Sequence, residues 1–184
     1  MMFALKKWQQ KYREYKKLSV NVNIGNRQFS QPNLTDEVVK ALHNSGLNAD
    51  SLHLEITENT LIQNYEAAKK IFTRLREVGV QLQIDDFGSG YSALGYLQHF
   101  PVSTIKIDKS FIKGLGESQR GTKLIRAIVS MARELGMETI AEGIETAKQL
   151  SELKTLSCNL GQGFHLSRPL DKESMEKLLE KTGM

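Results

Sequence analysis

Six short segments with the residue pattern of β-strands recur along the chain at a nearly even spacing. The segments cover residues 18–24, 51–57, 80–87, 104–111, 137–144 and 160–167. Segments with helical periodicity separate them, and the main ones cover 35–45, 64–77, 119–135, 146–156 and 172–181. Strands that alternate with helices predict a parallel sheet, either closed into a barrel or wound as an open sheet with helices on both faces.

The polarity of the strand faces distinguishes these two architectures. On one face of the first strands, alternate positions carry polar side chains such as Asn21, Glu55 and Asp85, whereas the other face is apolar. A doubly wound sheet is covered by helices on both sides and should be apolar on both faces. A barrel, in contrast, accommodates polar side chains at the mouth of its interior. No glycine-rich nucleotide-binding motif follows any strand. We therefore predict a (β/α) barrel of the TIM type.

The length of the chain predicts that this barrel is incomplete. A complete barrel has eight strands in about 250 residues, whereas this chain has 184 residues and six predicted strands. We predict an α/β fold with six parallel strands instead of eight, organised as a single domain over residues 1–184. Residues 1–17 are predicted to form a helix that leads into the first strand.

Composition excludes several classes of function. The net charge of +4 is mild, and much of it lies in the first 17 residues with the rest scattered, which argues against a nucleic-acid-binding patch. The single cysteine, Cys158, excludes an internal disulfide and a cysteine-based zinc site. No apolar run approaches the ~20 residues of a membrane span, and we expect a cytoplasmic protein without such a span.

Polar residues that could perform chemistry lie towards the C-terminal ends of the predicted strands. They are Asn21, Glu55, Asp85, Asp86, Lys106, Glu142 and, inside the last strand, Gln162. In a parallel barrel these ends meet on one face, where active sites are built. Carboxylate and amide oxygens without histidine or cysteine suit Mg²⁺, Mn²⁺ or Ca²⁺. An adjacent carboxylate pair at a strand end can serve two ions, as in two-metal phosphoester hydrolysis, and Lys106 would then hold a phosphate or orient the attacking water.

An ordinary structural role for each of these residues remains open, because polar side chains are common at exposed strand ends. The recurrence of the pattern on five strands at one end makes coincidence a weaker explanation. His53 lies on the polar face two residues before Glu55, and we expect it to be an interior residue rather than a metal ligand.

Several motifs resemble those of a known family, the EAL-domain cyclic di-GMP phosphodiesterases. The matching strings are LSVNVN at 18–23, LEITE at 54–58, DDFGSGYSAL at 85–94, IKIDKSF at 105–111, AEGIET at 141–146 and QGFHLSRPL at 162–170. They occur in the order and spacing of the family and run through almost the whole chain. The resemblance implies a (β/α) barrel that binds cyclic di-GMP and uses two Mg²⁺ or Mn²⁺ ions to hydrolyse one phosphodiester, giving linear pGpG.

The resemblance also implies roles for individual residues. The implied metal ligands are Asn21, Glu55, Asp85, Asp86 and Glu142. Lys106 is similar to an essential lysine near the attacking water, Glu142 would be a further ligand or an acid/base partner, and Gln162 would contact substrate. Glu58 resembles a glutamate that anchors the loop after the aspartate pair, a loop that includes Gly88 and Ser92. In the family, the loop corresponding to 88–97 couples dimer contacts to the metal site.

The chain departs from the family at its N-terminus. The Glu-Ala-Leu tripeptide that names the family does not occur in the sequence, so we expect the first two strands of the barrel to be missing. We expect a cyclic di-GMP phosphodiesterase domain that is weak or inactive in this form. Two alternatives are a catalytically dead module that binds or regulates, and an active enzyme completed by a partner chain. Exposed sheet edges would favour a homo-oligomer or a partner that supplies strands.

Overall fold

A single parallel sheet forms the centre of the molecule. The computed structural model describes residues 1–63, 65–88, 94–116 and 119–182. Its strands are β1 (Val20–Asn23), β2 (Leu52–Thr57), β3 (Gln81–Phe87), β4 (Thr104–Ile107), β5 (Glu138–Glu142) and β6 (Leu160–Gln162). Each strand pairs in parallel with the next one along the chain. Within the described residues no ladder joins β6 back to β1, and the prediction of an incomplete six-stranded barrel is confirmed.

Helices connect consecutive strands. They are α1 (Met2–Lys11), α2 (Asn26–Phe29), α3 (Leu34–Ser45), α4 (Glu58–Gln63), α5 (Tyr65–Val78), α6 (Leu94–Leu97), α7 (Lys109–Lys113), α8 (Gln119–Glu134), α9 (Ala147–Thr155) and α10 (Lys172–Thr182), with 3-10 turns at Arg13–Tyr15 and Ala49–Ser51. The predicted glycine stop after α3 is confirmed, because Gly46 adopts a left-handed φ of 63° that glycine reaches without steric cost.

Three predicted boundaries were wrong, each for a local reason. β4 ends at Ile107 rather than at 111, because the Asp108 side chain accepts a hydrogen bond from the Ser110 amide and starts α7. The last strand ends at Gln162 rather than at 167, because the amide of Ser167 bonds back to the Gly163 carbonyl. Residues 1–17 form α1 and a 3-10 turn rather than one helix, since Tyr12 is extended between them.

The core lies between the sheet and its helices. The largest fully buried strand residues are Leu54, Ile56, Leu82, Ile84, Ile105 and Ile107, and α5 packs on β3 while α8 packs on β4 and β5. From the helix side, Phe72 and Leu75 of α5 are also fully buried. Burying a side chain of this size stabilises the fold by about 1.5–3 kcal/mol. This layer leaves the opposite, polar face of the sheet to form the interior of the half-barrel.

The two terminal helices lie against each other. The Trp8 indole Nε1 donates to Glu176 Oε1 at 2.9 Å, and the Tyr12 hydroxyl donates to Glu180 Oε1 at 3.0 Å. Lys11 pairs with Glu180 at 2.9 Å. These contacts join α1 to α10 and so connect the first and last helices of the sheet's outer layer. In the part of the chain that the structure describes, no helix combines the length and the apolar character needed to cross a bilayer.

Candidate active site

The polar interior of the half-barrel opens into one cavity at the C-terminal ends of the strands. The cavity has a volume of about 630 Å³ and is lined by Met1, Ser19, Val20, Asn21, Asn23, Glu55, Asp85, Lys106, Glu142 and Gln162. The parallel register explains this convergence, because Asn23 lies opposite Glu55 and Glu142 lies opposite Gln162. All six strands thus contribute at least one of the residues selected from the sequence, and β5 and β6 contribute Glu142 and Gln162 side by side.

Lys106 lies at the centre of the site. Its side chain is 4% exposed, and its Nζ atom lies 2.8 Å from Glu55 Oε1, 2.9 Å from Asp85 Oδ1 and 2.8 Å from Glu142 Oε1. Burial by itself would lower the pKa of Lys106, but its hydrogen bonds to Glu142, Glu55 and Asp85 outweigh this cost and raise the pKa above its ordinary value. The lysine is therefore a permanent cation held by three acids.

The acidic residues carry more charge than this lysine neutralises. Burial and the charges of Asp85 and Glu55 raise the pKa of Glu142, although its hydrogen bond to Lys106 acts in the opposite direction. Burial, followed by the charges of Asp85 and Asp108, likewise raises the pKa of Asp86. Four carboxylates face a single ammonium group, and like charges this close disfavour complete ionisation. A divalent cation would relieve that repulsion.

A backbone irregularity lets two adjacent aspartates serve the same cluster. Successive residues of a strand normally point to opposite faces, but the pairing of β3 with β4 shifts register between Ile84 and Phe87. Asp86 has a left-handed φ of 52°, and its amide donates to Asp85 Oδ1 at 3.0 Å. As a result, oxygens of Asp85, Asp86 and Glu142 all lie within 4.8 Å of one another. Such a group of carboxylates could hold a metal ion.

Two interior residues that were not selected from the sequence as site residues extend the site inward. Gln83 is buried; its Oε1 accepts a hydrogen bond from Asn21 Nδ2 at 3.1 Å, and its Nε2 lies 2.8 Å from His53 Nδ1. His53 is thus an interior residue, and burial lowers its pKa despite nearby acids. Strand parity could have identified Gln83, because it lies two residues before Asp85 and opposite Glu55 in the β2–β3 register.

The segment that follows the aspartate pair is tied to α4. The Glu58 carboxylate is buried, and its Oε2 accepts a hydrogen bond from the Gly88 amide at 2.9 Å. Gly88 has a φ of 91°, and a Cβ atom there would lie 2.7 Å from the Phe111 ring. Ser92, the third residue expected in this anchor, lies outside the described residues, as does most of the loop before α6.

Comparison with known proteins identifies the family. The sequence matches the EAL domain family over residues 1–169. The chain belongs to the EAL domain family. A relative, the cyclic di-GMP phosphodiesterase NbdA of Pseudomonas aeruginosa, is 42% identical over 165 residues, which are 90% of this chain and 21% of NbdA. The chain therefore spans about one fifth of the length of this relative.

Solved EAL structures share the fold. The structure of the MucR phosphodiesterase in complex with cyclic di-GMP is 36% identical, with a TM-score of 0.89 over 95% of this chain and 70% of that one. The complex of Klebsiella pneumoniae BlrP1 with manganese and cyclic di-GMP is 30% identical, with a TM-score of 0.80 over 91% of this chain and 42% of that one. The EAL fold of this chain is thus the one on which those ligands are bound in MucR and BlrP1.

The donor set of this EAL domain fits a hard divalent cation. The clustered groups are carboxylate oxygens, with the amide of Asn21 on the neighbouring cavity wall. Oxygen ligands of this kind suit Mg²⁺, Mn²⁺ or Ca²⁺ and are poor ligands for softer ions. Burial first, and then the neighbouring carboxylates, raise the pKa values of Asp86 and Glu142, and a bound cation would oppose both effects.

Proposed function

We propose that this EAL domain binds cyclic di-GMP in the cavity at its strand ends and hydrolyses one of the two phosphodiester bonds. The observation that carries the proposal is the carboxylate cluster of Asp85, Asp86 and Glu142, in which Asp85 and Glu142 contact the Lys106 ammonium and line an open cavity. The names of the relatives NbdA and MucR support the substrate class. The product of the single cleavage is linear pGpG.

The proposed cofactor is a pair of Mg²⁺ or Mn²⁺ ions. Their ligands would be Asn21, Glu55, Asp85 and Glu142, which line the cavity, together with Asp86, whose carboxylate lies beside those of Asp85 and Glu142. When bound, such ions lower the pKa of water and stabilise the charge that develops on the phosphate oxygens. The BlrP1 complex contains manganese with the same nucleotide, which supports this cofactor class for the present chain.

The chain's own groups orient the reactants and take up the proton of the attacking water. Lys106 Nζ contacts the attacking water or a phosphate oxygen, and its charge stabilises the pentacoordinate phosphorus that forms. Glu142, whose pKa burial raises, accepts the proton of the water as the new phosphorus–oxygen bond forms. The bond from phosphorus to the 3′ oxygen breaks, and that oxygen takes up a proton from solvent and leaves as a hydroxyl. Gln162 contacts the substrate from β6.

The anchor formed by Glu58 and Gly88 would keep this arrangement in place. Gly88 follows Asp86 by two residues, and its amide is held by the Glu58 carboxylate. We propose that this hydrogen bond holds the segment that follows β3 and thereby the carboxylate of Asp86.

A second candidate function is a binding module without turnover. It is favoured by one sequence observation, the absence of the Glu-Ala-Leu tripeptide from all 184 residues. In this case the cavity would bind cyclic di-GMP and the protein would act through contacts with other proteins.

One experiment separates the two candidates. The purified chain is incubated with cyclic di-GMP and excess Mn²⁺, and products are resolved by anion-exchange chromatography, alongside calorimetric titration with the nucleotide in Ca²⁺. Formation of pGpG that is lost in Lys106→Ala and kept in Lys123→Ala, an exposed lysine of α8, supports the enzyme. Binding without turnover supports the module, and the absence of both overturns the assignment.

We also propose that two copies of the chain associate through the open edges of the sheet. All three residues of β6 are exposed, and the large apolar side chains Leu160, Phe164 and Leu166 are each at least half exposed beside it. An unpaired strand edge flanked by apolar surface favours pairing with another chain. Light scattering at micromolar concentration tests this, and a mass of one chain would contradict it.

A further inference from the structure

We propose that Gln83 is a positioning residue that fixes the carboxamide of Asn21, so that the Asn21 oxygen rather than its nitrogen is the atom available to a cation. His53 lies at the other end of the Gln83 amide, 2.8 Å from its nitrogen. This inference rests on the proposed function, in which Asn21 is a metal ligand. It concerns a chain of hydrogen bonds that runs from His53 through Gln83 and Asn21 to Glu55.

The donor and acceptor of each hydrogen bond can be assigned by starting from Glu55. Its Oε1 atom contacts the Lys106 ammonium at 2.8 Å and the Asn21 Nδ2 atom at 2.6 Å. A carboxylate has no proton to donate, so the partner must be a donor. The carboxamide of Asn21 therefore presents its nitrogen to Glu55. The opposite orientation would place its oxygen against a carboxylate oxygen.

The second hydrogen of the same amide is committed to Gln83. Asn21 Nδ2 also lies 3.1 Å from Gln83 Oε1, and an amide nitrogen has two hydrogens for two acceptors. With both hydrogens engaged, the nitrogen cannot turn towards a cation. Only the Oδ1 atom of this side chain then remains as a potential ligand, and it is the atom that a hard cation prefers.

The contact of Gln83 with His53 agrees with the orientation in which the Gln83 oxygen faces Asn21. Gln83 Nε2 lies 2.8 Å from His53 Nδ1, and because an amide nitrogen only donates, this ring nitrogen must offer its lone pair. Neutral imidazole with its proton on Nε2 provides that lone pair. Were Gln83 reversed, its nitrogen would face the nitrogen of Asn21 and two donors would be opposed. Burial of Gln83 removes water as an alternative partner.

The four side chains come from the three neighbouring strands β1, β2 and β3, which are held in register. Asn21 lies opposite His53, and Glu55 lies opposite Gln83, so backbone pairing places the amides before any ligand is bound. When a hydrogen bond that orients one of the metal ligands is removed, the site typically loses about 10–100-fold in metal affinity. A residue that only filled the interior would change stability without changing the orientation of Asn21.

The test compares Gln83→Leu, which removes both hydrogen bonds, with Gln81→Leu, the same substitution on the same strand and the same face. Gln81 instead accepts a hydrogen bond from Arg76. The first readout uses metal-free protein labelled with nitrogen-15, in which solvent exchange of the Asn21 side-chain amide is followed by NMR. We expect slow exchange in the parent and in Gln81→Leu, and fast exchange in Gln83→Leu. Equal exchange rates in all three proteins would overturn the inference.

The second readout is Mn²⁺ affinity, measured as free Mn²⁺ by electron paramagnetic resonance without substrate. We expect about a tenfold loss in Gln83→Leu and no change in Gln81→Leu; an unchanged affinity in Gln83→Leu would overturn the inference. If the parent binds no Mn²⁺, the proposed function fails, and amide exchange alone decides the orientation of Asn21.

A third variant, Gln83→Glu, keeps an acceptor for Asn21 and should retain slow exchange of the Asn21 side-chain amide. It also decides the question if Gln83→Leu does not fold, because fast exchange in Gln83→Glu would overturn the inference.

Discussion

The Nζ atom of Lys106 on β4 lies 2.8 Å from Oε1 of Glu142 on the adjacent strand β5. The same Nζ atom also contacts Glu55 and Asp85, so one ammonium group pairs with three carboxylates. In the absence of a metal ion, the ammonium group is therefore the counter-charge of the acids. A divalent cation would share those carboxylates with it.

Replacement of this lysine should make stability depend on metal. Lys106→Met removes one member of a buried ionic group and leaves the acids uncompensated, so we expect a loss of about 3 kcal/mol in the free energy of unfolding without metal. Added Mn²⁺ should raise the thermal midpoint of Lys106→Met by more than it raises the thermal midpoint of the parent. Differential scanning fluorimetry with EDTA or Mn²⁺ measures both quantities. An equal effect of Mn²⁺ on the two proteins would mean that cation and lysine do not share ligands.

Removal of one clustered carboxylate should weaken cation binding. Asp86→Asn leaves Asp85 and Glu142 in place but deletes one charge from the cluster, and we expect Mn²⁺ affinity to fall by at least about tenfold. The matched control is Asp36→Asn, which alters an exposed ion pair with Arg74 on α3 and α5. Calorimetric titration with Mn²⁺ provides the measurement. Similar affinities for the two variants would rule out the cluster as the binding site.

Acidification should destabilise the fold through His53. Burial lowers the pKa of His53 in the folded state below the ordinary 6.5. Below about pH 6.5, His53 is therefore protonated to a greater extent in the unfolded chain than in the folded chain. The stability contributed by the neutral ring is present above that pH and is lost as the pH falls through the lowered folded pKa. His53→Asn keeps an acceptor for Gln83 but does not titrate. The thermal midpoint should therefore fall less between pH 7 and pH 5 in His53→Asn than in the parent, and equal falls would contradict the prediction.

A methyl group at Gly88 should disturb the anchor beside the aspartate pair. Gly88 combines a left-handed φ of 91° with a Phe111 ring only 2.7 Å from the position of a Cβ atom. Gly88→Ala should cost about 1–3 kcal/mol. Gly46→Ala is the control, since Gly46 also has a positive φ but nothing within 4 Å. Urea unfolding compares the two variants, and a smaller loss at Gly88 than at Gly46 would show that the ring moves aside.

The sequence alone was sufficient to predict the fold class and to select the residues that meet at the cavity. Strand polarity alternates with a period of two, so Asn21, Glu55, Asp85 and Lys106 could be assigned to one face before any coordinates existed. Parallel pairing then required their C-terminal ends to meet on one side. Both inferences depend only on local pattern and on the geometry of a parallel sheet.

Tertiary structure decided what those residues contact. The three carboxylates around Lys106, and the hydrogen bonds of Gln83 to Asn21 and His53, join side chains from different strands. Local sequence cannot specify them because the register between strands sets these distances. The bulge at Asp86 likewise arises from the pairing of β3 with β4. Sequence therefore determined which chemical groups lie on the interior face, whereas packing of the strands determined their partners, their burial and hence their pKa values.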